Sequence, residues 1–151
     1  MSLFDFTDKT VIVTGGGTGI GFEIAKSFVL CGAKVTIAGR RKDVLEEALL
    51  QIKKKIPKSE DNIISLTCDM SNEQSVNDLF QTVQSTFNNI DILINNCGTW
   101  SLGSINELKD SEIDAHFNNI LKSTILGTKF ASAYLGEFGA IVNVGSFAGI
   151  L

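Results

Sequence analysis

The sequence predicts an α/β fold: a doubly wound parallel sheet with helices on both faces. Strand and helix patterns alternate along all 151 residues, and the strand segments are almost continuously apolar. An apolar strand of this kind is buried on both faces, which requires a layer of helices on each side of the sheet. Right-handed crossovers then place the ligand crevice at the carboxyl ends of the strands.

The first half of the chain contains two predicted strands, at roughly 10–14 and 34–38, each followed by a helix. Gly32 ends the first helix and Pro57 closes the second, because proline cannot continue a helix. The apolar residues of the first helix recur three and four positions apart, at Ile20, Ile24, Phe28 and Cys31. The corresponding face of the second helix consists of Leu45, Ala48, Leu49, Ile52 and Ile56.

The third strand is predicted over 62–68, and a helix follows it. The segment Ser71-Asn72-Glu73-Gln74 has the form of a capping box in which Ser71 and Gln74 are reciprocal partners. The apolar face of this helix is predicted to contain Val76, Leu79, Phe80, Val83 and Phe87.

The last predicted elements are a strand over 91–95, a long helix over about 111–134 and a strand over 140–144. One side of the long helix is predicted to consist of Ile113, Phe117, Ile120, Leu121, Thr124, Ile125 and Thr128. All five strands and their helices fit one domain over residues 1–151.

Composition excludes several classes of function. The formal charge of −4 and the pI of about 4.9 give no attraction to nucleic acid, so we expect no nucleic-acid partner. No apolar stretch approaches membrane-spanning length, so we expect no membrane partner. The three cysteines have no metal-type spacing, and we expect no metal site. They indicate reduced, buried thiols in a cytoplasmic protein.

Thr14 to Gly21 reads Thr-Gly-Gly-Gly-Thr-Gly-Ile-Gly, between an apolar strand and a helical pattern. Glycines allow a tight turn that brings backbone N–H groups against an anion, and the helix N-terminus adds its dipole. This order predicts a cradle for a dinucleotide phosphate. The spacing is not G-x-G-x-x-G, which would need a glycine where Ile20 stands. The alternative is a glycine turn formed for steric reasons.

Several residues with chemical potential follow directly after predicted strands. These are Gly15, Arg40, Asp69, Asn96 and Ser146. Because the carboxyl ends of parallel strands meet at one edge of the sheet, we expect one site there.

Three motifs in register resemble those of the short-chain dehydrogenase/reductase family, classical type. They are Thr14-Gly15-x-x-x-Gly19-x-Gly21, Asn95-Asn96-Cys97-Gly98 and Ile141-Val142-Asn143-Val144-Gly145-Ser146. The resemblance implies a Rossmann-type fold and hydride transfer between a nicotinamide cofactor and a carbonyl or alcohol substrate. It implies cofactor contacts at Thr14, Gly15, Gly19, Ile20, Gly21, Asp69, Met70, Asn96 and Gly98. Asp69 could equally be a turn residue.

The end of the second strand favours NADP over NAD. An acid here would bind the adenosine ribose hydroxyls and repel a 2′-phosphate, but the chain has Gly39 followed by Arg40 and Arg41. Guanidinium groups bind phosphate through paired hydrogen bonds. The alternative is that both arginines are solvated at a helix start.

Two catalytic residues are assigned by the resemblance. Ser146 matches the serine that hydrogen-bonds the substrate carbonyl and stabilises a developing oxyanion. The family asparagine that holds a proton-relay water is assigned to Asn119, although Asn118 is also compatible and a second alignment places Ile120 there. Cys97, where the family more often has alanine, is interpreted as a small apolar residue rather than a nucleophile.

The family's proton donor is a tyrosine in a Tyr-x-x-x-Lys motif that follows the serine. Tyr134 precedes Ser146 and has Phe138 four residues later, so it cannot be that tyrosine. We therefore expect residues 1–151 to be a truncated dinucleotide-binding domain, incomplete at its C-terminal side and inactive alone. The full-length protein would form a homo-oligomer. The alternatives are a non-catalytic NADP(H)-binding or subunit-pairing module and a non-functional truncation product.

Overall fold

A computed structural model describes residues 4–99 and 104–146, and its core is one parallel sheet. The strand order is β3-β2-β1-β4-β5. The strands are β1 (Thr10–Thr14), β2 (Lys34–Gly39), β3 (Ile63–Thr67), β4 (Ile90–Asn95) and β5 (Leu135–Asn143). The first four agree with the predicted strands to within one residue at either end, and the order reverses between β1 and β4, as in a doubly wound sheet.

The described helices alternate with the strands. They are α1 (Gly19–Leu30), α2 (Lys42–Lys55), α3 (Glu73–Phe87), α4 (Asp110–His116) and α5 (Ser123–Tyr134). A π-helical segment, Phe117–Lys122, joins α4 to α5, so the predicted long helix exists but carries a local irregularity. Short 3-10 turns lie at Pro57–Ser59 and Ile105–Glu107.

Two apolar layers cover the sheet, which confirms the predicted doubly wound fold. One layer packs α1 and α2 against side chains such as Val35 and Ile37, and the other packs α3 and α5 against Ile12 and Leu93. The predicted face of α3 is buried in full, and that of α2 is buried at Leu45, Ala48 and Ile52. The helices thus hold the strand ends in a fixed arrangement.

The apolar face predicted for α1 is only partly correct, because Ile24 and Phe28 are half-buried and pack against the core. Its buried residues are Gly21, Ala25 and Val29, whereas Ile20 is 65% exposed. Small residues face the sheet because α1 begins directly beside the glycine loop, where a Cβ on Gly21 would overlap the carbonyl oxygen of Gly15. The larger apolar side chains are displaced to the flank of the helix.

The apolar side predicted for the long helix is not the side that packs on the sheet. Its bulky residues are exposed: Ile113, Phe117, Ile120, Leu121 and Ile125. The buried residues are Ser123, Leu126, Gly127 and Ala131. Close packing of α5 on β4 requires small residues, since a Cβ on Gly127 would overlap the side-chain oxygen of Asn95.

The N-cap of α3 is Asn72, not Ser71. The Asn72 side chain accepts a hydrogen bond from the Ser75 N–H at 2.9 Å. Ser71 is engaged elsewhere, because both its N–H and its hydroxyl donate to Asp69. Gln74 donates to Asp78 instead of completing a capping box.

Strand β5 begins earlier than predicted, at the residue that follows α5. Ile90 pairs with Leu135 and Ile92 pairs with Ala140, so four residues of β5 lie opposite one residue of β4 and three of them are extra. Glycines at 136 and 139 fall within this irregular stretch, where their small size accommodates a bulge. The strand lies at an edge of the described sheet.

The sequence predicts that all three thiols are buried, and this prediction is correct for Cys68. Cys68 is buried, whereas Cys31 and Cys97 are half-buried, and no disulfide joins the described cysteines. Within residues 4–99 and 104–146, no cluster of three metal-ligating side chains occurs. None of the described helices combines the length and the apolar character that a membrane span requires.

Candidate functional site

A cavity of about 810 Å³ lies at the carboxyl ends of the strands. The loops after all five strands and the π-helical segment contribute to its wall. The structure thus brings together most residues that the sequence predicts for one site: Gly15, Gly19, Ile20, Arg40, Arg41, Asp69, Met70, Asn96, Gly98, Asn119 and Ser146.

The glycine loop after β1 forms one wall of this cavity. Gly15 and Gly19 have φ values of 64° and 55°, in the left-handed region that favours glycine. The Gly15 N–H donates to the carbonyl of Ala38 at 2.7 Å, which ties the loop to the end of β2. A Cβ on Gly19 would meet no protein atom within 4 Å, so the space above it is open to a ligand.

Thr14 and Gly21 build the loop without lining the cavity. A Cβ on Gly21 would overlap Gly15 and would lie 2.5 Å from the Asn96 amide nitrogen. Glycine is therefore required at position 21 for α1 to approach the loop. Both residues contribute to the site by shaping it.

The N-terminus of α1 opens into the cavity without a side-chain cap. The N-cap Thr18 makes no capping hydrogen bond, and the first turn contains no acidic residue. In α3, by contrast, Asn72 caps the helix and Glu73 lies in the first turn. The first N–H groups of α1 and the positive end of its dipole are consequently suited to an anion.

Thr14 and Asn96 fasten the loops after β1 and β4 to each other. The Thr14 hydroxyl donates to the carbonyl of Ile94 at 3.2 Å and accepts from the N–H groups of Asn96 and Cys97 at 2.9 and 3.1 Å. In return, the Asn96 amide donates to the carbonyls of Thr14 and Gly15 at 3.1 and 3.3 Å. Asn96 therefore fixes the base of the glycine loop.

Positive charge lies on the β2 side of the cavity. Arg40 and Arg41 are both exposed and both line the wall. Across from them, burial raises the pKa of Asp69, but the two hydrogen bonds from Ser71 and the charges of Arg40 and Lys122 outweigh this effect. The net pKa of Asp69 is below its ordinary value, so the carboxylate is ionised at neutral pH.

Asp69 acts as a turn residue and lines the cavity at the same time. Its carboxylate accepts from the Ser71 N–H at 2.9 Å and from the Ser71 hydroxyl at 2.8 Å. Its own N–H donates to the Ser75 hydroxyl at 3.0 Å. The two interpretations that the sequence leaves open are therefore compatible.

Cys97 lines the cavity with its thiol protonated. Burial raises the pKa of this thiol, and the opposing effects of a hydrogen bond with Thr14 and the charge of Arg40 are smaller. The pKa of Cys68 is raised by burial as well. Neither thiol has the lowered pKa of an activated nucleophile.

The π-helical segment brings Asn119 to the cavity wall, whereas Asn118 is not among the lining residues that the structure describes. The Ser123 hydroxyl donates to the backbone carbonyls of Asn119 and Ile120 at 2.7 and 3.1 Å, where the helical hydrogen bonding is irregular. Ser146 lies on the same cavity after β5. The catalytic roles of Asn119 and Ser146 stay predictions.

Sequence reasoning missed further lining residues, namely Gly17, Thr18, Gly39, Val44, Leu45, Cys68, Ser71, Ser123 and Val144. Thr18 could have been found, because it is a capping-type residue directly before the helix pattern. Ser123 could not, since the apolar spacing of the long helix does not show which of its sides faces the cavity.

Comparison with known proteins agrees with this geometry. The family model described as short chain dehydrogenase matches residues 9–151. The chain belongs to this family. Among the relatives of this short chain dehydrogenase is an uncharacterized oxidoreductase of Staphylococcus aureus, 32% identical over 145 residues that cover 95% of the chain and 60% of the relative. Another is 3beta-hydroxysteroid dehydrogenase 2 of Eggerthella lenta, 32% identical over 94% of the chain and 55% of the relative.

Solved structures of the family share the fold. A short chain dehydrogenase of Burkholderia cenocepacia, solved in complex with NADP, is 31% identical with a TM-score of 0.86 over 96% of the chain and 58% of its own length. One from Brucella melitensis has a TM-score of 0.90 over 97% of the chain and 60% of its own length at 23% identity, which supports the fold alone. The chain spans about 60% of the length of these relatives.

Proposed function

We propose that this short chain dehydrogenase binds NADP(H) and that the protein transfers hydride between NADP(H) and a carbonyl or alcohol substrate. The observation that carries the proposal is one cavity whose wall contains an uncapped helix N-terminus and two arginines. The NADP complex of the Burkholderia relative supports the choice of ligand.

The residues present fit the phosphates of a dinucleotide. The free N–H groups at the start of α1 would hold the pyrophosphate, as helix N-termini hold anions generally. Among the described residues, no atom lies within 4 Å of a Cβ position on Gly19 or Gly98, which leaves room for the backbone to approach a ligand closely. Asn96 would support this wall through its bonds to the glycine loop.

The arginines favour NADP over NAD. Strand β2 ends at Gly39, where no carboxylate is present to repel a 2′-phosphate. Arg40 and Arg41 would bind that phosphate, while Asp69 and Met70 would lie against the adenine. Guanidinium–phosphate hydrogen bonds are charge-assisted and therefore strong.

The reaction would take place at the β4–β5 side of the cavity. When bound, the nicotinamide ring supplies or accepts hydride. Ser146 would donate a hydrogen bond to the substrate oxygen and stabilise the negative charge that develops there. Asn119 would hold a water in a proton relay.

We further propose that these 151 residues alone bind the nucleotide without turnover, as a binding module. Tyr134 packs against the Phe80 ring at 5.6 Å between centroids, within the α3–α5 core rather than at the cavity. The acid needed to protonate a carbonyl oxygen therefore has no tyrosine source within the described cavity wall.

The exposed face of the α4–α5 helix supports a homo-oligomer. We define the α4–α5 face as Ile113, Phe117, Ile120, Leu121 and Ile125, all of which are at least 38% exposed. A contiguous apolar stripe on a helix indicates an interface, and we propose a second copy as its occupant in the full-length protein. Cysteines that form no disulfide within the described residues support a reducing compartment, and we propose the cytoplasm.

A titration of the 151-residue chain with NADPH and with NADH, followed by nicotinamide fluorescence, tests the cofactor assignment. We expect tighter binding of NADPH and a loss of roughly tenfold or more in its affinity in Arg40→Ala and Arg41→Ala, because each variant removes a charged hydrogen-bond donor. Lys42→Ala is the matched control, since Lys42 pairs with Glu46 along α2. Equal affinities for the two cofactors would contradict the NADP assignment.

A further inference from the structure

The side-chain amide of Asn95 joins three elements beside the cavity. Asn95 is the last residue of β4 and is 5% exposed. Its nitrogen donates to Oδ1 of Asn143, the last residue of β5, at 2.9 Å, and to Oγ1 of Thr128 in α5 at 3.3 Å. One buried amide thus connects β4, β5 and α5 at the end of the sheet where the cavity opens.

The absence of a side chain at Gly127 makes room for the Asn95 amide. A Cβ at position 127 would overlap Oδ1 of Asn95 and would lie 3.4 Å from Cε of Met70. The oxygen lies against the bare backbone of α5 and has no hydrogen-bond donor among the described residues. An unpaired buried acceptor costs free energy, so the two bonds made by the nitrogen must hold the amide in place.

The same residue connects the two strand ends to the site. The Asn95 carbonyl accepts from the Val144 N–H at 2.9 Å, two residues before Ser146. The next residue along β4 is Asn96, whose amide holds the carbonyl of Gly15. A displacement of Asn95 would therefore move the loop that carries Ser146 relative to the glycine loop.

We propose that Asn143 is a positioning residue: by accepting the hydrogen bond from Asn95, it sets where Ser146 lies relative to Asn96. This inference rests on the proposed function, because it assigns the β4–β5 side of the cavity to the nicotinamide half of the cofactor. The adenosine half lies on the β2 side, next to Arg40, separated from β4 by β1. A change at Asn143 should consequently affect one half of the cofactor and not the other.

Two ligands separate these halves. NADPH occupies the whole site, whereas adenosine 2′,5′-bisphosphate occupies the adenosine half alone. Asn143→Leu removes the acceptor at an exposed position, which leaves the core intact. We expect the Kd of NADPH to rise roughly fivefold, as for the loss of one hydrogen bond, and that of the bisphosphate to stay within about twofold. Asn143→Asp keeps an acceptor oxygen and should restore NADPH binding.

Variants of α5 and β5 complete the test. Gly127→Ala and Thr128→Val should reproduce the selective loss, because the first displaces the Asn95 amide and the second removes its other acceptor. Gly136→Ala is the control, since its Cβ would meet no atom within 4 Å. If Asn143→Leu lowers the melting temperature but changes both Kd values equally or neither, its role is structural and the inference is overturned. Failure of the unsubstituted chain to bind either ligand would overturn the proposed function itself.

Discussion

At the scale of single residues, the shape of the site depends on glycines that have no Cβ atom as much as on the side chains that line it. Gly21 has no Cβ, and this lets α1 begin within contact of the Gly15 carbonyl and the Asn96 amide. Gly19 has open space around it, and its requirement is a positive φ. Two glycines of one motif thus serve different physical purposes.

Gly21→Ala should therefore destabilise the fold as well as the site. The added methyl must displace backbone atoms, which costs roughly 1–3 kcal/mol in the free energy of unfolding. Urea denaturation measures this cost, with Gly136→Ala as a control that should change stability by less than about 0.5 kcal/mol. A Gly21→Ala protein as stable as the parent would show that the loop adapts without strain.

Thr14 and Thr36 are buried strand threonines with opposite hydrogen-bond status. The Thr14 hydroxyl makes three hydrogen bonds at the site, with Ile94, Asn96 and Cys97. The Thr36 hydroxyl lies in the sheet and has no hydrogen-bond partner in the part of the chain that the structure describes. Identical substitutions at the two positions should consequently have different effects.

Thr14→Val should lower the free energy of unfolding by about 1–3 kcal/mol, because it leaves two N–H groups unpaired. Thr36→Val should be neutral or raise it by up to about 1 kcal/mol, since a buried hydroxyl that makes no bond is replaced by a methyl group. Thermal and urea unfolding of both variants provide the comparison. Equal losses at the two sites would mean that Thr36 has a partner in solution.

At the scale of elements, α1 and α3 begin in different ways for different purposes. The N-terminus of α3 is satisfied by Asn72, whereas that of α1 is left to the cavity. A helix whose first N–H groups have no side-chain partner retains the capacity to bind an anion. The difference between the two starts separates a structural helix from one that forms a site.

Asn72→Ala should cost about 1 kcal/mol of the free energy of unfolding, which is typical for the loss of an N-cap. Gln74→Ala is the informative control, because a capping box would make Gln74 important, whereas the structure shows it bonded to exposed Asp78. We expect that variant to stay within about 0.5 kcal/mol of the parent in urea unfolding. A larger loss for Gln74→Ala than for Asn72→Ala would favour the capping box.

The sequence leaves the position of the relay asparagine open, and every candidate lies in the π-helical segment. In the structure, Asn119 faces the cavity at this segment. Such segments are frequent at functional sites.

At the scale of the whole molecule, the α4–α5 face is an apolar surface that the described part of the chain leaves exposed. Its five apolar residues lie on one side of a continuous helix, while the opposite side packs on β4 through small residues. Exposed Leu50 on α2 lies outside this face. The contrast gives a matched test of self-association.

Leu121→Glu and Ile125→Glu should weaken self-association, because a carboxylate within an apolar interface is desolvated without a partner. Sedimentation velocity over a range of concentrations should show a dimer or higher species for the parent and a shift towards monomer for both variants. Leu50→Glu should behave as the parent does. Identical sedimentation of all four proteins would contradict the proposed role of the α4–α5 face.

The sequence alone determined the α/β class, four strands to within one residue at either end, and the buried faces of α2 and α3. Of the thirteen site residues that the sequence predicts, eleven line one cavity in the structure. These features follow from local patterns: apolar runs, glycine spacing and the rule that parallel strand ends share an edge. They do not depend on how closely any two elements approach.

Tertiary structure decided the rest. The sequence did not identify the residues that α1 and α5 bury most deeply, because Gly21 and Gly127 lie where the elements approach most closely and a hydrophobic pattern does not show that contact. Asn72 rather than Ser71 caps α3, because the N–H and the hydroxyl of Ser71 both donate to Asp69. Only the structure shows that Thr14 fastens two loops through its hydrogen bonds, whereas Gly21 leaves room for α1 beside Gly15. In each case the outcome depended on a distance between residues far apart in the chain or on competition for a single hydrogen bond, and a linear pattern contains neither.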